Sequence, residues 1–138
     1  MADKVAFELV SPERLLASVE ADMVVVPGDE GDFGVLIGHA PLLSTLRPGV
    51  ISIYEGDQIR QRLFVAGGFA DVNEKGLTVL AEEAEDLADL DTQAAKQALS
   101  DAEDDLRDLG ADADDKLRSR SEKAVLIATT RLEALEAA

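Results

Sequence analysis

Glu30, Asp32 and His39 are the residues of this chain whose types and spacing could carry chemistry. The two carboxylates flank Gly31, and the imidazole, the only one in the chain, stands two residues before Pro41. A pair of carboxylates could serve as general acid and base. The wider stretch from Pro27 to Ser44 also holds Gly28, Gly34 and Gly38. Glycines so spaced permit positive φ, which sharp turns between short strands require. Pro41 has no N–H for a ladder, so it marks a strand start, an edge or a turn. The stretch therefore reads as strand, loop and strand, with carboxylates and an imidazole on one edge.

Few enzyme chemistries fit. A single histidine and no cysteine leave no zinc-type ligand set. No serine stands in a Gly-x-Ser-x-Gly context, although a triad assembled in space is open to any spacing. There is no Gly-x-x-x-x-Gly-Lys phosphate loop, and Gly28, Gly31 and Gly34 do not follow the dinucleotide fingerprint. Acidic residues in a glycine-rich loop are most often solvated turn formers.

The chain of 138 residues has length for one or two small domains. A net charge of −16 repels phosphate backbones, and 4% aromatic residues offer few stacking platforms, so a nucleic-acid role is not expected. Such acidity keeps a protein soluble or steers it to a basic partner surface. Apolar runs stop at about ten residues, too few to span a bilayer. Met1-Ala2-Asp3-Lys4 lacks the charged and apolar regions of a signal peptide.

The elements that must position these residues come in two styles. Val5, Phe7 and Leu9 alternate with polar or small residues, a half-buried strand. Leu15 or Leu16 to Val19, Met23 to Val26, Phe33 to Ile37 and Leu42 to Leu46 read as further strands. Arg47-Pro48-Gly49 is a turn signal. Val50 to Tyr54 pairs through Glu55-Gly56-Asp57 with Gln58 to Val65, where Ile59, Leu63 and Val65 should face one way and Arg60, Arg62 and Phe64 the other. Phe69 to Val72 pairs with Leu77 to Leu80. Short strands at such spacing predict a β-sandwich or barrel.

Past Ala81 the pattern changes, and Glu82 to Asp89 reads as a short acidic connector. Asp91 is a helix N-cap, Ala95, Ala98, Leu99, Ala102, Leu106 and Leu109 form one face, and Gly110 follows as a stop. On a second helix, capped by Asp112 or Asp114, the stripe is Leu117, Ala124, Ala128, Leu132 and Leu135, widened by Val125 and Ile127. Two amphipathic helices and a short turn make an antiparallel hairpin. The fold class is α+β, with a β-sandwich domain at residues 1–86 and a helical hairpin domain at 87–138.

In this order the motifs are familiar. Glu30-Gly31-Asp32-Phe33-Gly34-Val35, then Gly38-His39-Ala40-Pro41-Leu42-Leu43, Pro48-Gly49-Val50, Gly67-Gly68-Phe69 and Leu77-Thr78-Val79-Leu80-Ala81 followed by Ala84 resemble the epsilon subunit of F-type ATP synthases over essentially the whole chain. The resemblance implies a ten-stranded sandwich, a C-terminal helix hairpin and no cofactor. It implies a non-catalytic rotor subunit at the foot of the central stalk, whose sandwich grips the gamma subunit and stands on the c ring. Its place is then peripheral, on the cytoplasmic face of the bacterial inner membrane, reached only through the complex. Glu30, Asp32 and His39 become the edge facing the c ring, and Gly31, Gly34, Gly38 and Pro41 the family's turn motif.

Two departures bear on regulation. Ile37 stands where the family often has proline before Gly-His. Some relatives bind ATP through Ile/Leu-Asp-x-x-Arg-Ala, and here the run is Leu90-Asp91-Thr92-Gln93-Ala94-Ala95. Ala94 removes the guanidinium that would pair with phosphate, so ATP binding is expected to be poor. In bacterial relatives the hairpin extends and inhibits hydrolysis at the acidic surface of the beta subunits. Asp91 to Gly110 carries six acidic and two basic residues, a net of −4, and Ala111 to Ala138 six and five, a net of −1. Only Lys116, Arg118, Arg120 and Lys123 would be attracted there, so weak inhibition or none is expected, with the hairpin folded on the sandwich. The alternative reading is an acidic β-sandwich module for a basic partner outside any rotary complex. A weaker one is a carboxylate enzyme using Glu30 and Asp32.

Overall fold

The computed structural model describes residues 4–137. Met1–Asp3, part of the segment read as lacking a leader, and Ala138 lie outside the described residues. Ten strands come first: β1 (Val5–Val10), β2 (Leu15–Ala21), β3 (Met23–Gly28), β4 (Gly31–Val35), β5 (Leu42–Leu46), β6 (Gly49–Glu55), β7 (Gln58–Val65), β8 (Gly68–Asn73), β9 (Gly76–Ala81) and β10 (Ala84–Asp86). A 3₁₀ turn (Leu87–Asp89) leads to α1 (Thr92–Arg107) and α2 (Asp115–Glu136). The class is α+β: a ten-stranded sandwich followed by a helical hairpin. The chain divides into two compact units between Ala88 and Asp89.

Hydrogen-bonded neighbours run β10-β7-β6-β3-β5-β8-β9-β1-β2, with β4 paired to β3. All pairs are antiparallel but one: β1 lies parallel to β9, Phe7 opposite Leu77 and Leu9 opposite Val79. Alternation fills the interior. Phe7 and Leu9 of β1, Val24 and Val26 of β3, Ile51 and Ile53 of β6, and Leu77 and Val79 of β9 are buried in one cluster. Among the described residues no polar or charged residue is buried, so the core has no polar side chain to satisfy. The change of partner along β3 has a local cause. Its first half pairs with β6 and its last residue, Gly28, with Leu46 of β5. Between them sits Pro27, which has no N–H to give, while its carbonyl accepts from the Arg47 N–H at 3.0 Å. Gly49 closes the corner, because a Cβ there would lie 2.7 Å from Pro27 Cβ.

Several expectations need correction. In β7 Ile53 pairs with Gln61 but Tyr54 with Ile59, so Arg60 is a bulge. The bulge turns Ile59 out of the row of Leu63 and Val65, leaving it exposed. Phe64, expected among exposed arginines, is 1% exposed, buried outside the main cluster. Leu36 and Ile37 lie beyond the end of β4 and are exposed. The acidic connector contains β10, which pairs Ala84 with Val65 and Asp86 with Leu63, and Gln61 Nε2 donates to Asp86 Oδ2 at 2.8 Å.

Two outcomes follow from this packing. Gly76 opens β9 at φ +132°, and a Cβ there would lie 2.2 Å from the Ala6 carbonyl oxygen on β1. Gly76→Ala should cost at least ~2 kcal/mol, read as a lower urea midpoint with unchanged slope. At the β6–β7 turn, Glu55 accepts from Lys4 at 3.2 Å and from Arg60 at 3.3 Å. The Lys4 hydrogen bond first, then that of Arg60 and the two charges, hold its carboxyl below the ordinary 4.5. A lowered native pKa stabilises above the unfolded value and is lost as pH falls through the native one. Glu55→Gln should therefore lower the melting temperature slightly at neutral pH, and the two proteins should melt together once the pH is below the lowered value.

Candidate functional site

The acidic residues sit on a turn made by register. Gly28 pairs with Gly31, so Asp29 and Glu30 are the two-residue loop of the β3–β4 hairpin, and Gly31 takes φ +135°. The end of β5 and the residue after it hold this loop. Asp29 N–H donates to the Thr45 carbonyl at 3.0 Å, and the Thr45 hydroxyl donates to the Asp29 carboxylate. The Arg47 guanidinium forks: Nη1 donates to the Gly28 carbonyl and Nη2 to Asp32 Oδ1, both at 2.5 Å. Glu30 is exposed, and among the described residues nothing bonds its side chain. Beside the turn lies an open cleft of about 690 Å³, lined by Asp29, Glu30, Asp32 and Phe33 on one side and Leu42 to Thr45 on the other.

His39 is placed differently. Its backbone N–H donates back to the Leu36 carbonyl at 3.1 Å, and its ring Nδ1–H donates to the Ala40 carbonyl at 2.7 Å. Its ring lies 6.4 Å from that of Phe33 at 37°. The imidazole thus meets a carbonyl and a phenyl ring rather than the carboxylates. Gly38 supplies φ +81° for this turn. Pro41 stands immediately before β5, and Gly34 leaves room for Met23, whose sulfur would be 3.2 Å from a Cβ. The structure therefore brings together Asp29, Asp32, Thr45 and Arg47, of which sequence reasoning singled out only Asp32. Arg47 was legible only as part of a turn signal, because its role depends on β5 returning beside the hairpin.

A second feature was missed. On the outer face of the sheet, register lines up Thr45, Phe69, Leu80, Val10 and Leu15 across β5, β8, β9, β1 and β2. Leu15 is 55% exposed, Phe69 51%, Leu80 47%, and Leu43, two residues before Thr45 on the same face, 72%. The neighbouring row is polar: Asp71, Thr78, Glu8 and Ser18. Large apolar side chains side by side on a solvent face, rimmed by polar ones, mark an interaction surface.

Residues 4–87 match the family described as "ATP synthase, Delta/Epsilon chain, beta-sandwich domain". The ATP synthase epsilon chain of Rhodospirillum rubrum is 54% identical over 125 residues, 91% of this chain and 92% of that one. That of Maricaulis maris is 49% identical over 137 residues, 99% and 97% of the two chains. This chain belongs to the ATP synthase epsilon-chain family. It is thus a non-catalytic subunit of that complex. A chain in the cryo-EM structure of the Euglena gracilis mitochondrial ATP synthase, OSCP/F1/c-ring in rotational state 1, shares the fold with a TM-score of 0.79, over 98% of this chain and 83% of that one at 24% identity. One from the Tetrahymena thermophila mitochondrial ATP synthase, central stalk and c-ring, does so at 0.59 and 15% identity.

The hairpin of this epsilon-family chain is built on a repeat of three and four. In α1 the less exposed positions are Thr92, Ala95, Leu99, Ala102, Leu106 and, just past the end, Leu109; in α2 they include Arg118, Ser121, Val125, Ala128, Leu132 and Leu135. That is the spacing of a coiled-coil seam. Ala98, Leu117 and Ala124, expected on the seam, are exposed; Ser121, not expected there, stands in it with Val125, which was expected only to widen the stripe. The error came from favouring alanine and leucine over a consistent period.

Asp91 caps α1, accepting from Gln93 N at 3.4 Å and Ala94 N at 3.2 Å. Of the run compared with a nucleotide motif, Leu90 is half-buried, Ala94 exposed and Ala95 buried. Of the basic cluster, Arg118 Nη2 donates to the Gly110 carbonyl at 2.9 Å, bracing the turn, while Lys116, Arg120 and Lys123 are exposed. Asp91→Ala should cost about 1 kcal/mol of hairpin stability by loss of the cap. Calorimetry with ATP should give no saturable heat in the micromolar range, for the parent and the variant alike.

Proposed function

We propose that this chain is the rotor subunit that joins the gamma subunit to the c ring and couples rotation to ATP synthesis. The observation that carries the reading is the apolar row of Leu15, half-buried Val10, Leu80 and Phe69 on one sandwich face, with exposed Leu43 on the strand beside Phe69. A rotor element must bind a partner tightly enough to transmit torque. Burial of such side chains supplies the affinity, at roughly 25 cal/mol per Å² before the cost of association. Gamma is the partner proposed for this face. The acidic turn at Glu30 and Asp32, with His39 on the loop leading to β5, is proposed to meet the polar loops of the c ring. Exposed ion pairs there are worth about 0.2–1 kcal/mol each, so they set register and approach more than affinity. The chain then works peripherally on the cytoplasmic face of the bacterial inner membrane. Among the described residues no helix is long and apolar enough to cross it.

The hairpin is proposed to regulate weakly or not at all. The first helix and its flanks are strongly acidic, and one of the four basic residues at the start of the second, Arg118, already braces the turn.

Two experiments on the assembled enzyme test these assignments. Leu43→Glu with Phe69→Glu should strip the subunit from the complex, read as its loss from ATP synthase purified out of membranes; a complex that retains it removes gamma from this face. Truncation after Asp89 should leave ATP hydrolysis nearly unchanged with assembly intact. A several-fold rise would point to Lys116, Arg120 and Lys123 as an inhibitory contact.

A further inference from the structure

The acidic turn carries three carboxylates, but they are not equivalent. Asp29 is tied to the Thr45 hydroxyl and Asp32 to the Arg47 guanidinium, while Glu30, alone of the three, has no bond to its side chain among the described residues. Arg47 makes two contacts that a lone ion pair would not. One nitrogen holds the carbonyl of Gly28, the residue that enters the turn, and the other holds Asp32, one residue past its exit. Its own N–H is fixed to Pro27. The planar fork thus spans both strands of the hairpin from the residue just past the end of β5, a geometry that lysine cannot reproduce.

We propose that Arg47 is the positioning residue of the turn, that Asp32 serves as its anchor, and that Glu30 is the carboxylate presented to a cationic side chain of the partner. This rests on the reading that the turn meets the c ring and deepens it by dividing the roles. A partner cation approaching Asp32 must compete with a guanidinium already in place, whereas Glu30 is uncompensated. Fixing the turn in advance reduces the ordering lost on contact.

The test uses full-length variants in the assembled, membrane-bound enzyme, with ATP-driven proton pumping measured against hydrolysis across a salt series. Glu30→Lys should uncouple several-fold. Arg47→Gln and Asp32→Asn should each uncouple about as much as the other, and the double variant no more than either, as expected of two members of one clamp. Arg47→Lys should recover only part of the coupling, although the charge is kept. Melting of the isolated chain should show all variants folded, so that any loss lies in presentation. If Arg47→Gln pumps like the parent, or if its defect adds to that of Asp32→Asn, the clamp is overturned while the Glu30→Lys result stands for the c-ring assignment. If Glu30→Lys also pumps normally, the assignment of this turn to the c ring falls, and the clamp proposal with it.

Discussion

The parallel pairing of β1 with β9 is the constraint on which the rest of the sandwich depends. It joins residues about seventy positions apart, Phe7 with Leu77 and Leu9 with Val79, and all four side chains are buried. Without it β1 and β2 would be a lone hairpin, and isolated hairpins are marginal in water. Loop closure on that scale must precede the reward of burial, so this pairing is expected to form late and the folding to be slow for the size. The same pairing also builds the outer face. Val10 stands beside Leu80 only because β1 lies beside β9, so the apolar row exists only when the core is complete. A partner that reads this row thereby reads the finished fold.

That dependence explains what could and could not be read from the sequence. Strand β1 alternates, and β3, β6, β8 and β9 are short runs of apolar or β-forming residues bounded by turn residues, so local signals were enough to find them. The parallel join, the bulge at Arg60 and the three residues of β10 are decided by partners far away, and no local pattern carried them. Ten strands were expected only through the resemblance; residue patterns alone gave nine. The site divides in the same way. Glu30, Asp32 and the glycines around them announced a turn. Its fastening to Thr45 and Arg47 could not be seen until β3 had been bent at Pro27 toward β5. The apolar row was invisible because Val10, Leu15, Phe69 and Leu80 are scattered in sequence and each looks like an ordinary strand residue.

The turn and the row use different physics on one rigid body. The row offers area, which is non-directional and tolerant of small displacement. The turn offers a charge fixed in place by a guanidinium fork, which is directional but worth little in solvent. The proposed role, held by one neighbour and aligned to another, draws on both, because strength and register then come from separate surfaces. Arg47 links the two through β5. The strand that carries Leu43 on the outer face leads at its end into the residue that holds the hairpin. A shift of β5 would therefore move the charged turn as well as the apolar face.

The hairpin follows another rule. Its seam is made of Ala95, Ala102, Ser121 and Ala128 as much as of leucine, and small residues bury little area each. Large charged stretches lie outside the seam, and much of the negative charge sits at the helix ends and the turn, on Asp91, Asp108, Asp112 and Asp114. A unit with a thin seam is a poor independent domain, since apolar area grows slowly at this length. Its helices are nonetheless well specified at their ends, where Asp91 and Asp114 accept from the first N–H groups and Arg118 holds the Gly110 carbonyl across the turn. Local capping defines the helices while the seam between them stays modest. The two compact units thus differ in kind: in the sandwich, distant pairings fix the structure, and in the hairpin, bonds between neighbours in sequence do.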